Sequence, residues 1–322
     1  MTDDLEAIPV RDDLQTIAFY NLENLFDIED DPNTHDNDFL PRSEKKWTPK
    51  RYKNKLRKLG FAISNIGKKE TGKHPAIVGL AEVENAKAIE DLIASKHLEA
   101  INYGYVHYDS LDERGIDVAL LYDSDAFEVE HSESFRVHLI RDDGETDYTR
   151  DVLLVSGLLD GEQIHILANH WSSRREGAKE TEHKRFAAAD KVIEIINNLN
   201  IKYSNPKIVV IGDFNDDPSS NSIKRMVSSL GLFNPMEVLH TYSRGTTTYN
   251  FQWNLFDQIL FSTNFFEATP DTLSFDKANI FDDDFLKLLK GRYKGKPFRT
   301  YVGPKYKGGY SDHFPVYAIF KK

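Results

Sequence analysis

The chain has no cysteine, which excludes disulfides and thiolate chemistry and leaves the redox compartment unread. No stretch approaches the roughly 18 consecutive apolar residues that a membrane span needs. The opening residues, MTDDLEAIPVRDD, lack both a basic start and an apolar core. No secretory signal is therefore visible and a cytoplasmic location is expected, with a trimmed secreted protein as the alternative. Positive charge is also short: the formal net charge over 322 residues is −11. That argues against a protein held to nucleic acid by bulk attraction, because phosphate contacts need local Lys and Arg. Repeats, low-complexity tracts and Pro/Gly/Ser linkers are missing as well, so residues 1–322 read as one domain.

What is present points to a large core. Twenty Phe, fifteen Tyr and a 40 % hydrophobic content supply it. Short aliphatic runs recur at Thr16–Tyr20, Ala76–Ala81, Ile116–Tyr122, Val152–Leu158, Ile164–Ala168, Lys207–Ile211, Gln258–Phe261 and Pro315–Phe320. Their β-branched and aromatic content, between turn-rich flanks, reads as buried strand. Three helices lie between them. In Lys50–Ile66 the apolar face is Tyr52, Leu56, Leu59, Ile63 and Ile66, with Thr48 as N-cap and Pro49 in the first turn. His183–Leu199 places Phe186, Ala189, Ile193 and Ile196 on one side, and Ala86–Ser95 is shorter. The mixture is α/β with more strand than helix. Asp27–Trp47 and Phe275–Gly309 show little periodicity and read as long surface excursions, a class of segment that is often functional.

Charge is distributed unevenly. Asp27–Asp38 is acidic, Arg42–Lys58 carries nine basic residues against the single Glu44, and Lys287–Lys307 is basic again. Taken alone, each run reads first as a solvated face.

Polar residues gather where strands stop. Ile17–Tyr20 runs into Asn21-Leu22-Glu23, Ile77–Ala81 into Glu82, Ile164–Ala168 into Asn169-His170-Trp171, and Ile208–Ile211 into Gly212-Asp213-Phe214-Asn215. Ser311-Asp312-His313 precedes the last strand, and Asp257 stands at the edge of another. Singly these are ordinary: a turn acid, a half-buried histidine, a local hydrogen-bonded turn. Together they place Glu and Asp oxygens, without Cys and with few His, at one end of a sheet. Such donors suit a hard divalent cation, Mg²⁺ with Mn²⁺ as the alternative. The crowded acids of IGDFNDDP also call for positive charge nearby, from a metal or an imidazolium.

FYNLENLFD, GLAEVEN, GDFND and SDHFP, in this order over nearly the whole chain, resemble the endonuclease/exonuclease/phosphatase superfamily. RGIDVALLY, NHWSSRREG and FDQILFS resemble a bacterial branch of it. The resemblance implies a four-layer α/β sandwich, two mixed β-sheets face to face with flanking helices and the site at one edge. It implies Glu82 as principal metal ligand, with Glu23 and Asp312 completing that site and Asn21 beside the phosphate. Asp213 takes the place of the water-activating acid, and Asn215 of its partner at the phosphate. His313 matches the phosphate-polarising histidine, Asp257 the acid behind it, and His170 a position held by His or Tyr near the leaving oxygen or a phosphate oxygen. Arg150 resembles a phosphate-contacting arginine. The acidic partner of His170 is left between Glu113 and Asp117.

The resulting expectation is a metal-dependent phosphodiesterase acting on nucleic acid, an endonuclease or exonuclease. The two basic segments, with Trp47, Tyr293 and Tyr301 interleaved, would track the backbone or stack on bases. The alternatives are a phosphomonoesterase or phospholipid/inositol-phosphate phosphohydrolase using the same site, which the net charge of −11 favours modestly, and a catalytically dead binding module, which the full set of site residues opposes.

Overall fold

The computed structural model describes residues 8–141, 143–267 and 269–322. Its main strands, in chain order, are β1 (Leu14–Leu25), β2 (Ile77–Val83), β3 (Tyr103–His107), β4 (Asp117–Asp123), β5 (Phe127–Phe135), β6 (Val152–Leu159), β7 (Glu162–His170), β8 (Lys207–Asp213), β9 (Leu232–Phe233), β10 (Asp257–Ser262), β11 (Ser274–Ile280) and β12 (Val316–Lys321). They form two six-stranded sheets, ordered β11-β12-β1-β2-β4-β3 and β9-β10-β8-β7-β6-β5. The longer helices are α1 (Pro49–Ile63), α2 (Ala86–Ile93), α3 (Glu182–Lys202) and α4 (Asn221–Leu230). This is the expected mixed-sheet sandwich.

Each sheet has one parallel pair near its middle, β1 with β2 and β7 with β8, and antiparallel strands outward from it. A parallel connection needs a crossover; α1 lies in the first and α3 in the second. Parallel strands end at the same edge, and an antiparallel neighbour begins there. The edge that receives the ends of β1, β2, β7 and β8 therefore also receives the starts of β10 and β12.

The side-chain period of a strand divides β8 between two cores. Val209 and Ile211 enter the core between the sheets, whereas Ile208 and Val210 face α3 and α4. In β6, Leu153 and Val155 go inward while Val152 and Leu154 go outward. A strand covered on both faces reads as a continuous aliphatic run, the pattern of KIVVI. Two glycines set the spacing. A Cβ on Gly79 would stand 2.6 Å from Ile211 Cδ1 across the sandwich, and one on Gly212 would stand 2.6 Å from the Asn169 carbonyl oxygen.

Three expectations need correction. The buried stripe of α3 is Arg185, Ala188, Ala189, Val192, Ile195, Ile196 and Leu199, so Phe186 lies off it and Ile193 packs at its margin. The helix is rotated because Arg185 turns inward to meet Asp216, with Nε–Oδ2 2.9 Å. β11 falls inside the excursion read as aperiodic; it is an edge strand held only by β12, with the polar pattern of FDKAN. Trp47 and Tyr301 are buried, packed on Phe39 and on each other, so neither is available to a base.

Gly212→Ala is expected to destabilise the protein by about 1–3 kcal/mol, because the new methyl meets backbone rather than a yielding side chain. Urea unfolding at neutral pH measures this.

Candidate active site

Ladder register assembles the second sheet's part of the site: Asp213 pairs with His170 on one side and with Asp257 on the other. An imidazole and two carboxylates thus stand in a row at the strand ends. From the end of β1, Asn21 Nδ2 donates to Asp213 Oδ2 at 2.9 Å. The second Asp213 oxygen accepts the Asn215 N–H at 2.9 Å.

The backbone bends sharply at these ends. Glu23, Asn24, Glu82 and Asn215 have φ of +51°, +56°, +62° and +50°, a left-handed conformation that disfavours most L residues by roughly 1–2 kcal/mol. At Glu82 the ladders of β2 break register, and such a bulge re-aims a side chain. Its Oε2 accepts the Asn24 N–H at 2.8 Å, and its Oε1 lies 3.9 Å from His170 Nε2. Four left-handed residues at one edge mark a place where geometry is held against local preference.

The two histidines are tuned in opposite directions. His170 is buried, and burial first, then Arg150 and Arg114, push its pKa well below the ordinary value. It is a neutral imidazole near neutral pH, with Nε2 3.8 Å from Asp213 Oδ2. For His313 burial acts downward, but Asp257 and Asp213 outweigh it and hold the ring well above the ordinary value. Its Nδ1 is 2.7 Å from Asp257 Oδ2 and 3.9 Å from Asp213 Oδ2. Asp213 itself is raised to about 6, chiefly by burial, with His313 opposing.

A second group of acids is fully answered by the protein. The Glu23 carboxylate accepts the N–H groups of Thr300 at 2.5 Å and Tyr301 at 3.2 Å, and its Oε1 lies 3.5 Å from Arg299 Nε. Arg299 Nη2 reaches Asp312 Oδ2 at 2.5 Å. The Lys55 ammonium, in a wholly buried side chain, donates to Thr300 Oγ1 at 2.6 Å and to the Tyr310 carbonyl at 2.7 Å. Burial lowers its pKa to about 8, against the pull of Glu23, Asp312 and Glu82.

Arg150 is buried and donates to Asp112 Oδ2 at 3.0 Å and to the carbonyls of His170 at 3.2 Å and Trp171 at 2.6 Å. It secures the end of β7, with its guanidinium engaged by these protein acceptors. Asn215 gives its carboxamide N–H to the Trp171 carbonyl at 3.0 Å. Neither acid proposed as the partner of His170 reaches it: Glu113 pairs with Arg141 at 2.6 Å, and Asp117 accepts the Ser110 N–H at 3.0 Å. Among the described residues His170 Nδ1 is buried without a partner, and the acids facing its ring are Glu82 and Asp213.

The donor set fits a divalent metal. Among the described residues, Asp213, Asp257 and His313 offer ligand atoms within 4.8 Å of one another. The His313–Asp257 contact is a hydrogen bond that occupies Nδ1, and both Asp213 oxygens accept N–H groups, so the oxygens of Glu82 are the better cation donors.

A family model described as Endonuclease/Exonuclease/phosphatase family matches residues 16–322. The chain belongs to this family. It is accordingly a phosphoric-ester hydrolase acting on phosphodiester or phosphomonoester bonds, in a family whose enzymes use divalent metals. No curated protein matches it by sequence. Among solved structures it is similar to an endonuclease/exonuclease/phosphatase family protein from Bacteroides thetaiotaomicron, at 16% identity and TM-score 0.60 over 95% of this chain and 94% of that one. A mannosyl-6-phosphatase of the same organism has 16% identity and TM-score 0.58 over 96% and 100%. TDP2 from D. rerio, complexed with single strand DNA product, has 14% identity and TM-score 0.58 over 97% and 100%. At such identities the likeness is one of fold. No helix among the described residues is long and apolar enough to cross a membrane.

Sequence reasoning missed Lys55, Arg299 and the pair Arg174–Arg185. The first two lay within basic runs read as surface. Arg174 Nη2 and Arg185 Nε approach Asp216 at 2.5 and 2.9 Å, and they supply the positive charge that the tail of IGDFNDDP needs. The RR of NHWSSRREG was the available signal for Arg174.

Asp257→Asn removes the charge and weakens the hydrogen bond that raise His313. The wild-type ring remains an imidazolium through neutral pH. That protonation contributes stability fully below pH about 6.5 and loses it as pH rises through the folded value. NMR titration of the His313 ring should show the variant deprotonating at lower pH, with the alkaline loss of stability beginning earlier.

Proposed function

We propose that the protein is a divalent-metal-dependent phosphodiesterase that cuts nucleic acid with Asp213 as general base. The observation that carries this reading is the setting of Asp213. It is a buried carboxylate raised to about 6, fixed by Asn21 and the Asn215 N–H, between a neutral and a charged imidazole. A base with a pKa near the working pH combines availability with driving force.

Asp213 takes a proton from the attacking water. His313, held as an imidazolium by Asp257, donates to a phosphate oxygen as charge accumulates. His170, neutral, hydrogen-bonds a second oxygen through Nε2. Pairs of groups whose surroundings drive their pKa values apart mark separate acid and base roles. Glu82, with Asp213 adjoining, would hold Mg²⁺ or Mn²⁺, which when bound supplies charge neutralisation at the phosphate and the leaving oxygen. Arg299, which joins Glu23 to Asp312, offsets charge at Glu82, and the three position the loop that carries His313. Asn21 and Asn215 orient Asp213, and Arg150 orients His170.

A phosphomonoester or a lipid or inositol phosphate remains the second reading. The net charge of −11 favours it, and one fold neighbour is a mannosyl-6-phosphatase. The deciding assay compares an oligonucleotide, a sugar or inositol phosphate and a choline phospholipid, each with Mg²⁺, Mn²⁺ or EDTA. Cleavage of the oligonucleotide is expected, with loss in EDTA. Asp213→Asn should lower kcat about 10³-fold with an unchanged circular dichroism spectrum. Wild-type protein that hydrolyses only a phosphomonoester would overturn the nuclease reading.

A further inference from the structure

One exposed feature beside the site is not accounted for by packing. A hairpin of Thr247–Tyr249 and Gln252–Asn254 leaves the protein between two site residues. At its base Thr247 Oγ1 donates to the Asp312 carbonyl at 3.0 Å, and Thr246 Oγ1 accepts the Asp257 N–H at 3.3 Å. Thr246 also accepts the Phe314 N–H through its carbonyl at 2.8 Å, and Trp253 stacks on Phe314 with centroids 6.0 Å apart. The hairpin is therefore fastened to the elements that carry Asp257, Asp312 and His313.

Its tip is Asn250-Phe251, with φ of +46° and +66°. Two-residue hairpin loops use positive φ at both positions, which suits Asn and disfavours a bulky ring. Phe251 holds that conformation while 48% exposed, so burial is not what it gains. It stacks on Tyr293, which is equally exposed, with centroids 5.5 Å apart and planes at 10°. Lys296 Nζ stands 4.0 Å from the Phe251 centroid, and the Arg292 guanidinium carbon stands 4.7 Å away. Neither cation has a carboxylate partner among the described residues. The next ring along the hairpin, Tyr249, is also exposed. Three hairpin residues put this tip roughly 10 Å from the Asp312 end.

A half-exposed aromatic stack, with two cations over the Phe251 ring that have no carboxylate partner among the described residues, matches a ligand with both π-faces and negative charge. An inositol phosphate has no π-face. In a duplex the base faces are covered by each other, whereas a single strand exposes them. We propose that Phe251 and Tyr293, flanked by Arg292 and Lys296, form a base-stacking platform. It holds a neighbouring nucleotide of a single strand whose scissile phosphate lies at Asp213 and His313. The platform rests on the phosphodiesterase reading of the site and assigns it a substrate class.

The test measures anisotropy of a short fluorescein-labelled oligothymidylate in EDTA, where nothing is cleaved. Steady-state kinetics with Mn²⁺ follow, on the same oligomer and on bis(p-nitrophenyl) phosphate, a diester too short to reach the tip. Phe251→Ala and Tyr293→Ala are each expected to weaken oligomer binding about 10-fold and to raise its KM while leaving kcat in place. Turnover of the small diester stays unchanged, and Phe251→Trp keeps wild-type affinity. Unchanged affinity and KM in both alanine variants would overturn the platform, as would wild-type protein that hydrolyses the small diester without binding the oligomer. Failure to turn over either substrate counts instead against the phosphodiesterase reading. The anisotropy arm needs no turnover and still decides the platform.

Discussion

Crowding of carboxylates at one edge of the sandwich is the constraint on which the rest of the site depends. Glu23, Glu82, Asp213, Asp257 and Asp312 converge there from both sheets, most of them buried. Like charges in a low-dielectric interior cannot all remain ionised without compensation. The protein answers them unequally. Asp257 has His313, Asp312 and Glu23 share Arg299, and Lys55 lies beneath that pair. Asp213 has N–H partners and the His313 ring 3.9 Å away, whereas Glu82 has an N–H partner and no cation paired with it among the described residues. A site that neutralises its other acids internally and leaves Glu82 to a hydrogen bond alone would suit an external cation there.

That asymmetry is built by topology. A single parallel pair in each sheet sends four strand ends to the same edge, and the antiparallel neighbours return their starts to it. The row His170, Asp213, Asp257 is held by ladder hydrogen bonds and so has little freedom to drift. The first sheet contributes less regular geometry: bulged ends at Glu23 and Glu82, with left-handed backbone at both. Functional sites placed on rigid strands gain precision, and the bulges supply the change of direction that an ideal strand cannot.

Much of this was legible in the residues because buried strands leave a strong imprint. KIVVI, IAFY and IVGLA announce strands, and the polar residues that follow announce their ends. Other features depended on pairings between distant segments. Lys55 sits in a basic run and looks solvent-facing until Glu23 and the carbonyl of Tyr310 close around it. Arg185 breaks the apolar stripe of α3 for the sake of Asp216, thirty-one positions away. Trp47 and Tyr301 are aromatic residues among lysines, a pattern shared by nucleic-acid surfaces and by small buried clusters; here they pack on Phe39. The left-handed turn at Glu82 has no glycine or asparagine at that position to signal it.

Specificity has to come from outside the row of catalytic groups, because a base, two imidazoles and a cation site treat diester and monoester alike. With a net charge of −11, the whole-molecule field repels a polyanion, so long-range steering works against a nucleic-acid substrate. The basic segment Lys287–Lys307 offsets this only in part: Lys287 pairs with Asp282 and Arg299 with Asp312. Recognition of a strand by such a protein must then rest on short-range contacts, chiefly stacking, that salt does not screen. A binding constant dominated by phosphate contacts falls steeply with ionic strength, whereas one dominated by the Phe251–Tyr293 platform falls gently. The aromatic tip and the acidic charge balance are in this sense consistent with that proposal: stacking would hold a single strand without relying on long-range attraction.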